Sequence, residues 1–259
     1  MSSPPRAPAA IARLSLTGFL TLLLIALMMG ANHVAARTAF NHGVDVVTAV
    51  TFRSIVTAVV VALILWQQKV SLQLSPRQRQ SLLLIGGLIA VQSVCLYSAV
   101  ARLPVALALL AFNTYPLLTA FWARILYGHR PERAVLLAMP LILTGLALAL
   151  DVLGAASGLG AARHWGNIGI GVAFALAASA TFGLALVITQ HESADVDGRL
   201  RTFTTMATVA VLAAMVASTQ SGFHLPNASA GWWGLGALTF LYGTAFTIMF
   251  TVRSEERRV

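Results

Sequence analysis

Acidic residues are scarce in this sequence, and their positions are as informative as their number. The 259 residues include eight Asp and Glu against 17 Lys and Arg, and charged residues make up only 10% of the chain. All eight acids fall outside the long apolar runs, in polar connections or near the end of the sequence. The apolar segments therefore offer no embedded carboxylate for a proton relay or for acid–base catalysis.

Cysteine is even scarcer. The single Cys95 lies within an apolar run, so an intrachain disulfide is excluded. The polar stretch 191–197 holds a histidine and three acids but has no matching ligand set elsewhere, so we interpret it as a solvated loop and predict no metal site. GxSxG and HExxH motifs are absent. No cofactor is predicted, and an intramembrane enzyme is the least favoured of the functions considered.

Basic residues are plentiful but not clustered. The net charge is +9, yet the arginines recur singly between apolar runs instead of forming the patch or stripe of a nucleic-acid binder. We therefore predict no nucleic-acid partner and interpret the spacing as a topology signal. With a cytoplasmic N-terminus, only Arg37, Arg102 and Arg163 fall on the outer side, and Arg53 is left within an apolar run. This bias predicts a multi-pass protein of the cell (inner) membrane with both termini cytoplasmic.

Long apolar runs dominate what the sequence does contain. Hydrophobic residues make up 58% of the chain and the mean hydropathy is +0.82, values typical of a polytopic membrane protein. About 20 apolar residues in a helix cross the hydrocarbon core of a bilayer. The pattern predicts an all-α protein embedded in lipid, with about eight transmembrane helices near residues 15–36, 46–66, 81–101, 103–127, 134–152, 168–190, 202–219 and 232–252.

An internal repeat divides the chain. Gly30 and its surroundings align with Gly183, and the segment 86–102 aligns with 236–253 at nearly the same offset. We predict a five-helix unit over 1–152, a Gly/Ala-rich extracytoplasmic linker over 153–167, and a second unit over 168–259 that stops after three helices. An odd number of helices per unit would place the two copies in inverted orientation.

Several segments carry a family resemblance: GANHVAARTAF (30–40), TFRSIVTAVVVAL (51–63), YSAVARLPVALALLAFNTYPLLTAFWARILYGHRPER (97–133) and LILTGLALAL (141–150). With these segments the chain resembles the EamA-type permeases of the drug/metabolite transporter (DMT) superfamily. The resemblance implies ten helices in two inverted repeats and transport of a small organic metabolite. Two departures stand out: His129 follows Gly128 where the family usually has a glutamate, and the sequence ends soon after Arg253, so we expect the last two helices to be missing.

The expected loss of two helices leaves alternatives open. The chain is a truncated relative, a natural eight-span variant, or a protein completed by a second copy or a helper subunit. We favour a transporter that works by alternating access, and the alternative is a membrane subunit or scaffold without transport of its own.

Arg53 is the one charged side chain deep within a span. A guanidinium there costs at least about 2.5 kcal/mol, so some partner must offset it. One interpretation is a binding contact for an anionic group such as a carboxylate. The other is snorkelling to the outer interface or an ion pair with Asp45, two helical turns away. The two are about equally supported.

Polar residues at similar depth on three other spans predict a central cavity along the substrate path. The spans contribute Asn32 from the first, Gln92 and Tyr97 from the third, and Asn113, Tyr115 and Pro116 from the fourth. Hydrogen bonding between helices is an equally good explanation for each residue alone. His33 is a candidate for proton coupling because a free imidazole titrates near neutral pH, although a hydrogen-bonded interfacial histidine is the commoner case.

Overall fold

The computed structural model describes residues 16–129, 133–220 and 222–256, and these residues form α-helices with no β-strand among them. The all-helical prediction is confirmed. Counting the interrupted stretch 105–127 once, six helical stretches among the described residues are long and apolar enough to cross a bilayer, and Leu137–Ala149 adds a shorter one. The helices are α1 (Leu16–Phe40), α2 (Val46–Gln67), α3 (Pro76–Arg102), α4 (Val105–Phe112), α5 (Tyr115–Tyr127), α6 (Arg133–Ala149), α7 (Ala161–Glu192), α8 (Gly198–Thr219) and α9 (Ser229–Glu256).

The fourth predicted span, 103–127, consists of two helices instead of one. Pro116 has no N–H to donate to the carbonyl of Phe112, so the α-helical ladder stops there. Thr114 bridges the break, because its Oγ1 donates to the Ala111 carbonyl at 2.8 Å and its own carbonyl accepts from the N–H of Leu117 at 3.0 Å. α5 therefore restarts one residue before the proline.

The pairing of the helices is unchanged when the first three helices are exchanged with the last three, and we call this the exchange rule. α3 packs chiefly on α7, α2 on α8 and α1 on α9. Exchanging α1 with α7, α2 with α8 and α3 with α9 turns the α3–α7 pair into the α9–α1 pair and leaves α2–α8 unchanged. This is the pairing expected of two related three-helix units packed against each other.

Small residues allow two of these helices to approach their neighbours closely. A Cβ at Gly234 of α9 would lie 2.8 Å from the backbone N of Ala39 on α1. One at Gly183 of α7 would lie 2.9 Å from the backbone N of Thr119 on α5. In lipid, where apolar burial drives helix association little, such close backbone packing is a main source of attraction.

A polar cluster ties three helix ends together on one side of the bundle. The ring of Tyr127, at the end of α5, stacks on His191 with the centroids 3.8 Å apart, and His129 lies 4.9 Å from the same histidine. Arg77 of α3 forms an ion pair with Glu192 at 2.8 Å. Gly128 adopts a left-handed backbone (φ +67°) that ends α5 and turns His129 toward α7.

Candidate functional site

Arg53 is the centre of a buried polar cluster. It lies in the first half of α2, only 3% of its surface is exposed, and its guanidinium points toward α3. Nη1 donates to the Oη of Tyr97 at 3.2 Å and Nη2 donates to the Oγ of Ser93 at 2.9 Å. Tyr97 and Ser93 are four residues apart and therefore share one face of α3. The guanidinium is held by two neutral hydroxyl groups.

The cluster continues onto α1 and along α3. Asn32, which is fully buried, donates from Nδ2 to the Oη of Tyr97 at 3.2 Å. The ring of His33 meets the Tyr97 ring edge-on with the centroids 5.7 Å apart. Ser93 Oγ lies 3.4 Å from the Oε1 of Gln92, to which it can donate. The structure thus brings together five of the residues predicted from the sequence.

Two tyrosine rings cover the guanidinium. The Cζ of Arg53 lies 4.0 Å from the ring centroid of Tyr242 on α9 and 4.9 Å from that of Tyr97. Cation–π contacts of this kind are strongest where water is excluded. Sequence reasoning missed Tyr242 and Ser93. The alignment of 236–253 with 86–102 was the available signal for Tyr242, since it sets α9 in the place that α3 occupies in the first unit.

Arg53 neither forms an ion pair with Asp45 nor reaches the outer interface, the two alternatives to a binding role. Asp45 accepts a hydrogen bond from the backbone N–H of Thr48 at 2.9 Å, which caps α2, and its other oxygen lies 3.5 Å from Nδ1 of His224. The burial of the guanidinium also excludes snorkelling in this conformation. Within the described residues, no acidic side chain contacts Arg53, and its Nε is buried without a hydrogen-bond partner.

The equivalent position in the predicted second unit carries no charge. The segment TFRSIVT (51–57) of α2 corresponds to TFTTMAT (202–208) of α8, which places Thr204 opposite Arg53. The local backbone bonding is the same, since Thr57 donates to the carbonyl of Arg53 and Thr208 to that of Thr204, both at 2.8 Å. The local helix geometry thus does not require an arginine at this position.

The predicted residues of the fourth span form a separate group. Asn113 and Pro116 are exposed on the surface of the chain at the α4–α5 break. Tyr115 packs against Phe182 of α7, edge-on, with the ring centroids 5.0 Å apart. Among the described residues, no hydrogen bond or ring contact joins this group to the Arg53 cluster. Their place on a substrate path stays a prediction.

Comparison with known proteins agrees with the fold and the motifs. The EamA-like transporter family matches residues 16–150, more than half of the chain. No curated protein matches the chain. The match covers α1 to α6, including Asn32, Arg53, Tyr97 and the α4–α5 break. The chain is a multi-pass membrane protein that belongs to the EamA-like transporter family.

Proposed function

We propose that this chain moves a small organic metabolite across the cell (inner) membrane by alternating access. The observation that carries the proposal is the Arg53 cluster, a buried polar site to which helices of both predicted units contribute. α1, α2 and α3 supply the hydrogen-bonding groups, and α9 supplies the ring of Tyr242. A site at the junction of two repeats is where repeat transporters hold their substrates.

The helix pairing supports a specific movement. α1 contacts α9 far more extensively than it contacts α2 or α3, whereas α2 and α3 pack chiefly on α8 and α7. The cluster is divided in the same way, since Asn32 and Tyr242 lie on the α1–α9 pair and Arg53 and Tyr97 on the other helices. Movement of the α1–α9 pair as a unit would therefore uncover Arg53 while most helix contacts stay intact.

The proposed path extends the site with the predicted residues of the fourth span. Asn32, Arg53, Gln92 and Tyr97 would hold the solute, and Asn113, Tyr115 and Pro116 would line the approach along α7. We place the unit boundaries at 152 and 168 and both termini in the cytoplasm. The arginine distribution and the exchange rule for the helix pairs support this arrangement.

Counterflow in proteoliposomes tests the mechanism. Vesicles containing the purified full chain are loaded with a mixture of unlabelled metabolites, and uptake of each labelled component is followed. A carrier that alternates between two faces shows transient accumulation of label driven by unlabelled solute inside. Flux without counterflow, as through a pore, or no flux with any component, as for a scaffold, would contradict the proposal.

Proton coupling through His33 is the finer part of the proposal. Its Nδ1 is buried without a hydrogen-bond partner, and its ring contacts Tyr97. We expect His33→Gln to retain counterflow but to lose the stimulation of net uptake by an imposed pH gradient. A variant with the full response to the gradient would exclude His33 as the proton carrier.

A further inference from the structure

We infer that the Arg53 cluster binds the carboxylate group of a small organic anion, an inference that rests on the proposed transport function and specifies its substrate class. The first support is the missing countercharge. The guanidinium is 97% buried and its polar contacts within the described part of the chain are to neutral groups, the hydroxyls of Ser93 and Tyr97. A bound anion would supply the negative charge that the protein does not.

The second support is a set of buried polar atoms that lack a hydrogen-bond partner. Among the described residues, the buried side-chain N and O atoms without a partner are His33 Nδ1, Arg53 Nε and Ser54 Oγ, all on α1 and α2. His33 and Arg53 both contact Tyr97. Buried polar atoms are nearly always hydrogen-bonded, so two unpartnered atoms on residues that contact the same tyrosine, His33 Nδ1 and Arg53 Nε, indicate a ligand position.

The geometry of the guanidinium selects a carboxylate. Nε and Nη2 lie on one edge of its plane, and its Cζ lies within 5 Å of the ring centroids of Tyr97 and Tyr242, at 4.9 Å and 4.0 Å. A ligand approaching that edge would accept from Nε and share Nη2 with Ser93, the paired bonding that a planar carboxylate makes with arginine.

Charge and shape exclude other anions as the preferred ligand. The site contributes one positive charge and otherwise neutral donors, so a doubly charged phosphate would leave a buried negative charge uncompensated. The rings of Tyr97 and Tyr242 offer apolar contact to the remainder of an organic molecule. A halide would satisfy the charge, but as a single atom it would receive both N–H donors at one point instead of at two oxygens, and it has no organic remainder to contact the rings.

The test is a binding measurement on the purified full chain, independent of transport. Benzoate and acetate are compared with benzamide and acetamide, and with chloride and phosphate, as ligands that raise the melting temperature in detergent. We expect a concentration-dependent shift with the carboxylates and none with the matched amides. Equal shifts with benzoate and benzamide, or with benzoate and chloride or phosphate, would overturn the inference.

Variants locate the binding. We expect Arg53→Gln to abolish the benzoate shift, and Arg53→Lys, which keeps the charge but loses the paired edge, to weaken apparent affinity by about tenfold or more. Arg37→Gln is the matched control, because Arg37 is a membrane arginine that donates to backbone carbonyls. A benzoate shift that persists unchanged in Arg53→Gln overturns the assignment. If Arg53→Gln does not fold, the Lys variant and the amide comparison decide.

Binding and transport can fail separately. Carboxylate binding without counterflow would refute the proposed function and leave the site assignment standing. Counterflow of neutral solutes without carboxylate binding would support the transport function and refute the inference.

Discussion

Replacing Arg53 by methionine should abolish anion binding at the proposed site but change the free energy of unfolding little. The guanidinium makes two hydrogen bonds, each contributing about 1.5–3 kcal/mol for a charged donor, and a cation–π contact contributing about 2 kcal/mol. Burying the charge costs several kcal/mol, and the unpartnered Nε adds to that cost. These opposing contributions nearly cancel, so we expect the free energy of unfolding of Arg53→Met to lie within about 1 kcal/mol of wild type.

The residues that bond to Arg53 support this expectation, because each keeps another hydrogen-bond partner after the substitution. Tyr97 keeps its hydrogen bond with Asn32, and the hydroxyl of Ser93 can still donate to the amide oxygen of Gln92. A methionine has a similar length and fills the space beside the tyrosine rings.

Arg37→Met is the matched control with the opposite expectation. Arg37 donates to the carbonyl of Val100 at 2.7 Å, an acceptor that lacks its helical partner because residue 104 is proline. Loss of that bond leaves an unsatisfied carbonyl, which costs about 1–3 kcal/mol. Unfolding by SDS from detergent micelles, followed by tryptophan fluorescence, measures both variants. If Arg53→Met lost about 3 kcal/mol or more, or more than Arg37→Met, the guanidinium would be a structural element and the reasoning would be wrong.

Further predictions concern packing and surface charge. Gly183→Ala should lower the free energy of unfolding by about 1–3 kcal/mol because its Cβ would meet the α5 backbone, whereas Gly30→Ala, with no atom within 4 Å of the new Cβ, should be neutral or slightly stabilising; SDS unfolding measures both. Asp197→Asn should cost about 1 kcal/mol at pH 7, since hydrogen bonds from Arg199 lower the pKa of Asp197 to about 2. Because the folded pKa is depressed, the difference should persist above about pH 4 and vanish as the pH falls toward 2; equal stabilities at pH 7 would contradict it. Arg77→Gln should change stability by less than about 0.5 kcal/mol, because its side chain is 82% exposed, and a larger loss in the same assay would show that its ion pair holds α3 to α7.

The positions of the helices were predictable from the sequence because a bilayer demands uninterrupted apolar runs of fixed length. The same criterion singled out Arg53 as a candidate site residue, since it is a charged residue inside such an apolar run. It could not separate α4 from α5, because hydropathy does not register a missing backbone donor at Pro116. It also could not place Tyr242 against Arg53. These helices are apolar on all sides, so no polar stripe shows which face of α9 meets α2.

The single charge also links binding to the proposed movement. If the α1–α9 pair withdrew as proposed, Tyr242 would leave the face of Arg53 and water would take its place. Closing the site would then remove water from the charged guanidinium, because Arg53 is only 3% exposed in the closed conformation. The free-energy cost of that desolvation opposes closure. A carboxylate on the same guanidinium removes much of that penalty, because the closed site is then neutral. Since the predicted second unit carries the uncharged Thr204 at the equivalent position, the proposed coupling would act through α2 alone. An anion held by α2 would stay bound to the same helix whichever side the α1–α9 pair opens.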